Sequence, residues 1–181
     1  MRAYCYVVLL NHFRHCILTT TSNPDENMKP ENRKQVSPEK LFNYIVSELQ
    51  VCMQQLEKKT GDSGNTGMQG QFTQGAAAML LMRLYLNAEV WIGKPMYKEC
   101  RDLCKQIIAG EYGNYSLASQ WYKPFDWDNE TCNEVIFAFP ASYATTSWHM
   151  QNNYRTIYGR GMPYGSSKYF DIEGDGARNP K

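Results

Sequence analysis

The stretch "QGAAAMLLMRLYLNAEVWIGKP", residues 74–95, limits the fold more than any other part of the chain. Gly75, Ala76, Ala77 and Ala78 lead into an apolar run that Arg83 interrupts once before Asn87 and Glu89. A helix that is apolar nearly all round has no wet face, so it must be buried between neighbours on several sides. Thr73 suits the cap before its first turn. The pattern predicts one helix reaching about Ile92, closed by Gly93-Lys94-Pro95. Glycine inside a helix costs about 0.5–1 kcal/mol relative to alanine. The small size of Gly75 and Ala78 is therefore expected to admit a neighbouring helix axis at close range.

Two amphipathic helices are predicted beside it. In the first, Ser37-Pro38-Glu39 supplies a cap, a first-turn proline and a charge that complements the helix dipole. Leu41, Ile45, Leu49, Cys52 and Leu56 then recur at three- and four-residue spacing, widened by Tyr44 and Met53, while Asn43, Ser47, Gln50 and Gln54 face away. This helix is expected to end near Thr60-Gly61, where the flexible "TGDSGNTGMQG" begins. The second, "YKECRDLCKQIIAG", places Tyr97, Cys100, Cys104, Ile107 and Ile108 on one stripe, and Gly110 ends it. So short a link from the buried helix makes the pair a hairpin, the unit from which stacked helical repeats are built. Near the N-terminus, Met1–Phe13 reads as a buried helix, followed by a loop from about Thr19 to Val36.

The chain has 181 residues, 43% of them hydrophobic, enough for one domain with a core. A net charge of +1 gives no footprint for nucleic acid or anionic lipid. The mean hydropathy of −0.57 and the lack of a run of about 20 apolar residues argue against a membrane span. "MRAYCYVVLL" imitates a secretion signal, but Asn11, His12, Phe13, Arg14 and His15 stand where small residues should mark cleavage. Arg14 and His15 also spoil Cys16 as a lipid-attachment cysteine. The six cysteines form no C-x-x-C, and Cys52, Cys100 and Cys104 fall on helix faces as small hydrophobes.

Beyond Gly110 the character changes. Residues 112–170 hold 15 of the 24 aromatic residues, interleaved with Asn, Ser, Gly and Pro. "EVIFAFP" alternates Val135, Phe137 and Phe139 against Ile136 and Ala138 and predicts one short strand stopped by Pro140. Trp121 and Trp127 are expected to pack on the core.

Taken in order, "RAYCYVVLLNHF", "SPEKLFNYIVSELQ", "GQFTQGAAAMLLMRLYLNAEVWIGKPMYKEC", "CKQIIAGEYGNYSL", "NEVIFAFP" and "KYFDIEGDGARN" resemble the SusD/RagB family of surface lipoproteins of Bacteroidetes. The departures are Gln71 and Gln74, where the family carries basic residues, and the lack of a glycine after Phe13. The chain also reads as a fragment, without the family's lipidated N-terminal cysteine and C-terminal portion. The resemblance implies a mainly α, TPR-like α/α superhelical core over residues 1–111, with a truncated, loop-rich, ligand-facing segment over 112–181. It implies non-catalytic binding of an oligosaccharide, import through a SusC-like TonB-dependent transporter, and a cell-surface position on the outer membrane held by a lipid anchor absent from this chain. No cofactor, metal or nucleic-acid partner is expected. The competing reading is a helical-repeat scaffold for protein partners with no sugar ligand.

Sugar binding needs flat aromatic faces for the C–H side of a pyranose and amide or charged groups for its hydroxyls. "SYATTSWHMQNNYRTIYGRG" concentrates both, which selects Tyr143, Trp148, Asn152, Tyr154 and Arg155 as candidate contacts, Trp148 foremost. Other clusters read blandly. "DIEGDG" places Asp171, Glu173, Asp175 and Gly176 at calcium-loop positions, but the chain stops before the closing carboxylate. Asp126, Asp128 and Glu130 read as a surface loop rather than glycosidase carboxylates. His12, His15 and Cys16 lack a fourth zinc ligand, and His149 has no evident nucleophile partner.

Overall fold

Three sequence signals at helix ends act as predicted. Ser37 accepts a hydrogen bond from the Lys40 N–H and opens helix α3, Pro38–Gln55. Thr73 does the same for Ala76 N–H at the head of α4, Gln74–Leu86. Gly93, with φ of 69°, takes the left-handed conformation that closes α5, Ala88–Ile92. The computed structural model describes residues 1–59, 70–126 and 129–139, all within one compact unit, Met1–Phe139. The remaining helices there are α1, Arg2–Phe13, the short α2, Pro24–Asn27, and α6, Tyr97–Ile108. No described helix is long and apolar enough to cross a membrane.

Helix α4 lies at the centre. It packs along both α3 and α6, which touch α4 far more than each other, while α1 covers another flank of α3. Gly75, Ala76, Ala77, Ala78, Leu81, Leu84 and Tyr85 of α4 are buried. They join Leu41, Phe42, Ile45 and Leu49 of α3 and Cys100, Leu103 and Ile107 of α6 in one core. The chain therefore builds a layered helical stack, mainly α, as its apolar pattern requires.

Several expectations need correction. The predicted continuous helix to Ile92 breaks at Asn87, where the side-chain amide donates to the Arg83 carbonyl at 2.8 Å. An Asn side chain that bonds its own backbone competes with helical bonding. In α3 the periodicity missed Phe42, which is 2% exposed, and the helix ends at Gln55 rather than near Thr60. In α6 the buried stripe is Cys100, Leu103 and Ile107; Tyr97 and Ile108 face out, because the core row follows i, i+3, i+7 from Cys100. Helix α1 buries only Ala3, Tyr6 and Leu10, leaving Val8 and Phe13 exposed. Tyr6 fixes the chain after α1, its hydroxyl donating to the Thr19 carbonyl and accepting from the Thr19 N–H.

The β structure is also placed differently. Cys16–Ile17 (β1), just before the stretch expected to be loop, pairs antiparallel with Gln35–Val36 (β2) at its end. Residues 135–139 form no ladder among the described residues. Their alternation serves aromatic packing instead: Phe137 stacks on Phe72 at 4.4 Å and meets Phe139 edge-on at 5.0 Å.

What approaches Gly75 is not a helix axis but a ring. A Cβ there would lie 2.2 Å from the Tyr115 hydroxyl, so the glycine is needed to seat the loop after α6 against α4. Trp121, expected to pack, is 83% exposed.

Candidate functional site

The five candidate contacts read from the sequence, Tyr143, Trp148, Asn152, Tyr154 and Arg155, lie outside the described residues. So do Trp127, Asp128, His149 and the acidic turn at 171–176. Among the described residues, the strongest site geometry is a groove that sequence reasoning did not single out.

One wall of the groove is α4. Ala76, Leu80 and Arg83 follow one another at helical spacing along the same face, with Met79 beside them. The opposite wall is the irregular segment Glu134 to Phe137, with Pro124 at its edge. Tyr4 and Phe72 close one end through an aromatic cluster: Tyr4 lies 6.0 Å from Phe72 and 5.7 Å edge-on from Phe139. The enclosed space is about 410 Å³, within the range of small-molecule sites. The only sequence signal for it was the alternation in "EVIFAFP", which reads equally as a strand.

A partly buried polar knot centred on Lys59 holds this wall. Lys59 is 2% exposed; its ammonium donates to Asn133 Oδ1 and lies 4.9 Å from the Tyr115 ring centroid. Asn133 in turn donates to Ser116 Oγ at 3.0 Å, and Glu134 accepts the Ala118 N–H at 2.9 Å. Tyr115 reaches Thr73 Oγ1 at 3.4 Å, which ties the same knot to the head of α4. Burial pushes the Tyr115 phenol above its usual range, with the Thr73 contact opposing weakly. A sequence gives no hint that Lys59, Thr73, Tyr115 and Asn133 meet, since they are far apart along it.

The described residues offer little for bond-making chemistry. Burial, with Cys104 beside it, raises the Cys100 thiol and keeps it protonated. Asp126 forms an ion pair with Lys123 at 3.2 Å. His12 bonds the Val8 carbonyl through Nδ1, and no three His, Cys, Asp or Glu side chains stand together as a metal cluster among the described residues.

No family model matches the sequence, and no curated protein sequence does. The structure is similar to the crystal structure of a SusD-like protein from Bacteroides fragilis NCTC 9343, with a TM-score of 0.63 at 18% identity. The match covers 78% of this chain and 26% of that one, so the chain spans about a quarter of that protein's length. The order of helices, the sandwiched α4 and this likeness together establish a SusD-like, TPR-type helical fold.

Proposed function

We propose that this chain is the helical-scaffold part of a non-catalytic oligosaccharide-binding protein serving nutrient uptake at the outer-membrane surface, in association with a SusC-like TonB-dependent transporter. The observation that carries the reading is the likeness of fold to a SusD-like protein. It is supported by the aromatic- and amide-rich composition of residues 112–181, the proposed ligand-facing segment. Trp148, Tyr143 and Tyr154 supply flat faces for pyranose rings, and Asn152 and Arg155 supply donors for hydroxyls and ring oxygens. No step of the proposed role needs a nucleophile or a metal.

A glycan array probed with the 181-residue chain tests this directly, with retention of at least one oligosaccharide class expected. Trp148→Ala should then weaken binding by about 1–3 kcal/mol, the loss typical of a buried aromatic anchor. Retention of no glycan defeats the reading; an unchanged affinity removes Trp148 as a contact.

One observation favours the competing scaffold reading. Ile108, Leu117, Trp121 and Phe125 are each at least 80% exposed, and large exposed apolar side chains mark protein contacts more often than sugar sites. A chain that ignores every glycan yet forms a defined complex through these four residues would belong to that class.

A further inference from the structure

The groove between α4 and residues 134–137 combines apolar and aromatic walls with two opposite charges. Its side chains are mostly aliphatic and aromatic, and Arg83, Glu134 and Tyr4 are the lining side chains that carry polar groups. Arg83 is exposed and has no side-chain hydrogen bond or ion pair among the described residues. Glu134, on the facing wall, has one oxygen committed to the Ala118 N–H. Those two charges line one groove without forming an ion pair with each other.

We infer that this groove binds a flat aromatic carboxylate, with the ring against Met79, Leu80 and Phe137 and the carboxylate on Arg83. Charge fixes the orientation. A carboxylate is attracted by the guanidinium and repelled by Glu134, so it lies at the α4 side. A hydroxyl at the far end of the ring can then donate to the free oxygen of Glu134. Aromatic rings favour offset and edge contacts with phenylalanine and tyrosine, and thioether sulfur adds a favourable contact at Met79. Arginine presents parallel N–H donors that match a carboxylate. The inference is independent of the oligosaccharide reading, which rests on other residues.

The test uses 4-hydroxycinnamate and its uncharged amide as probes on the 181-residue chain with ¹³C-methyl methionine. The Met79 signal is assigned by its loss in Met79→Leu. The acid should shift the Met79 methyl saturably and bind about ten-fold tighter than the amide, the effect of one charge-assisted hydrogen-bond pair. Arg83→Gln, at an exposed position where folding is undisturbed, should erase that ten-fold difference, whereas Trp148→Ala should leave it intact. Equal binding of acid and amide, or no shift of Met79 by the acid at millimolar concentration, overturns the inference. A shift of Met79 by an oligosaccharide and not by the acid overturns it as well, and assigns the groove to the glycan.

Discussion

Leu84→Ala is expected to cost the helical unit about 2–5 kcal/mol, the range for truncating a leucine whose surroundings cannot collapse. Leu84 is completely buried, in the last turn of α4 and within the core that α3 and α6 share. Neighbours on both flanks are themselves held in place, so the cavity stays open and the lost contacts are not replaced. In a chain of this size the change should lower Tm by about 2–4 °C for each kcal/mol lost. Leu86 provides the contrast two residues further on. It is 50% exposed, and its truncation should cost less than about 1 kcal/mol, since much of its surface is already wet. Urea midpoints at constant slope check both variants. Similar losses for the two would mean that α4 is not buried in the manner described.

Lys59→Met should destabilise the chain by about 1–3 kcal/mol, chiefly by leaving Asn133 Oδ1 without its donor. Methionine fills the space of the lysine stem but supplies neither the hydrogen bond nor the cation above the Tyr115 ring. Loss of a desolvated cation–π contact adds about 1–2 kcal/mol, offset by relief of burying a charge. The effect should be local in its dynamics. Amides of residues 113–118 and 132–137, the segments tied through Asn133 to Ser116 and through Glu134 to Ala118, should exchange faster. Amides within α3 and α4 should slow down or speed up only with global stability. Unchanged exchange in 132–137 would show that Lys59 does not hold the groove wall.

The stack was legible because it depends on local chemistry. Ser37 and Thr73 are capping residues wherever they precede a helical pattern, and an all-round apolar helix admits few environments. The errors fell where a single side chain overrides the pattern. Asn87 turns its amide back to the Arg83 carbonyl and splits a helix that hydrophobicity alone continues. Phe42 is adjacent to Leu41, and period counting assigns such neighbours to different faces, yet both are buried because α3 meets more than one partner. Gly75 does make room, but for the Tyr115 ring forty residues away rather than for the helix axis that was expected.

Arg14 shows the same limit from the other side. The SusD/RagB resemblance places a glycine after Phe13, and this chain has none. The structure gives Arg14 a φ of 62°, a region that favours glycine. The guanidinium offsets the strain by donating to the Leu10 and Asn11 carbonyls, both at 3.1 Å, and by lying 5.8 Å from the Trp91 ring centroid. Apart from the alternation in "EVIFAFP", the groove was not legible, because Arg83 and Glu134 reach it from elements that only tertiary structure brings together.

Methyl–methyl NOEs from the buried positions of α4 test the central claim most directly, using a sample labelled at alanine, isoleucine and leucine methyls. A sandwiched α4 predicts cross-peaks from Ala77, Ala78, Leu81 and Leu84 to both sides, to Leu41, Ile45 or Leu49 of α3 and to Leu103 or Ile107 of α6. Cross-peaks confined to one of those two helices, with the other flank seeing only water, would contradict the layered stack and the SusD-like reading built on it.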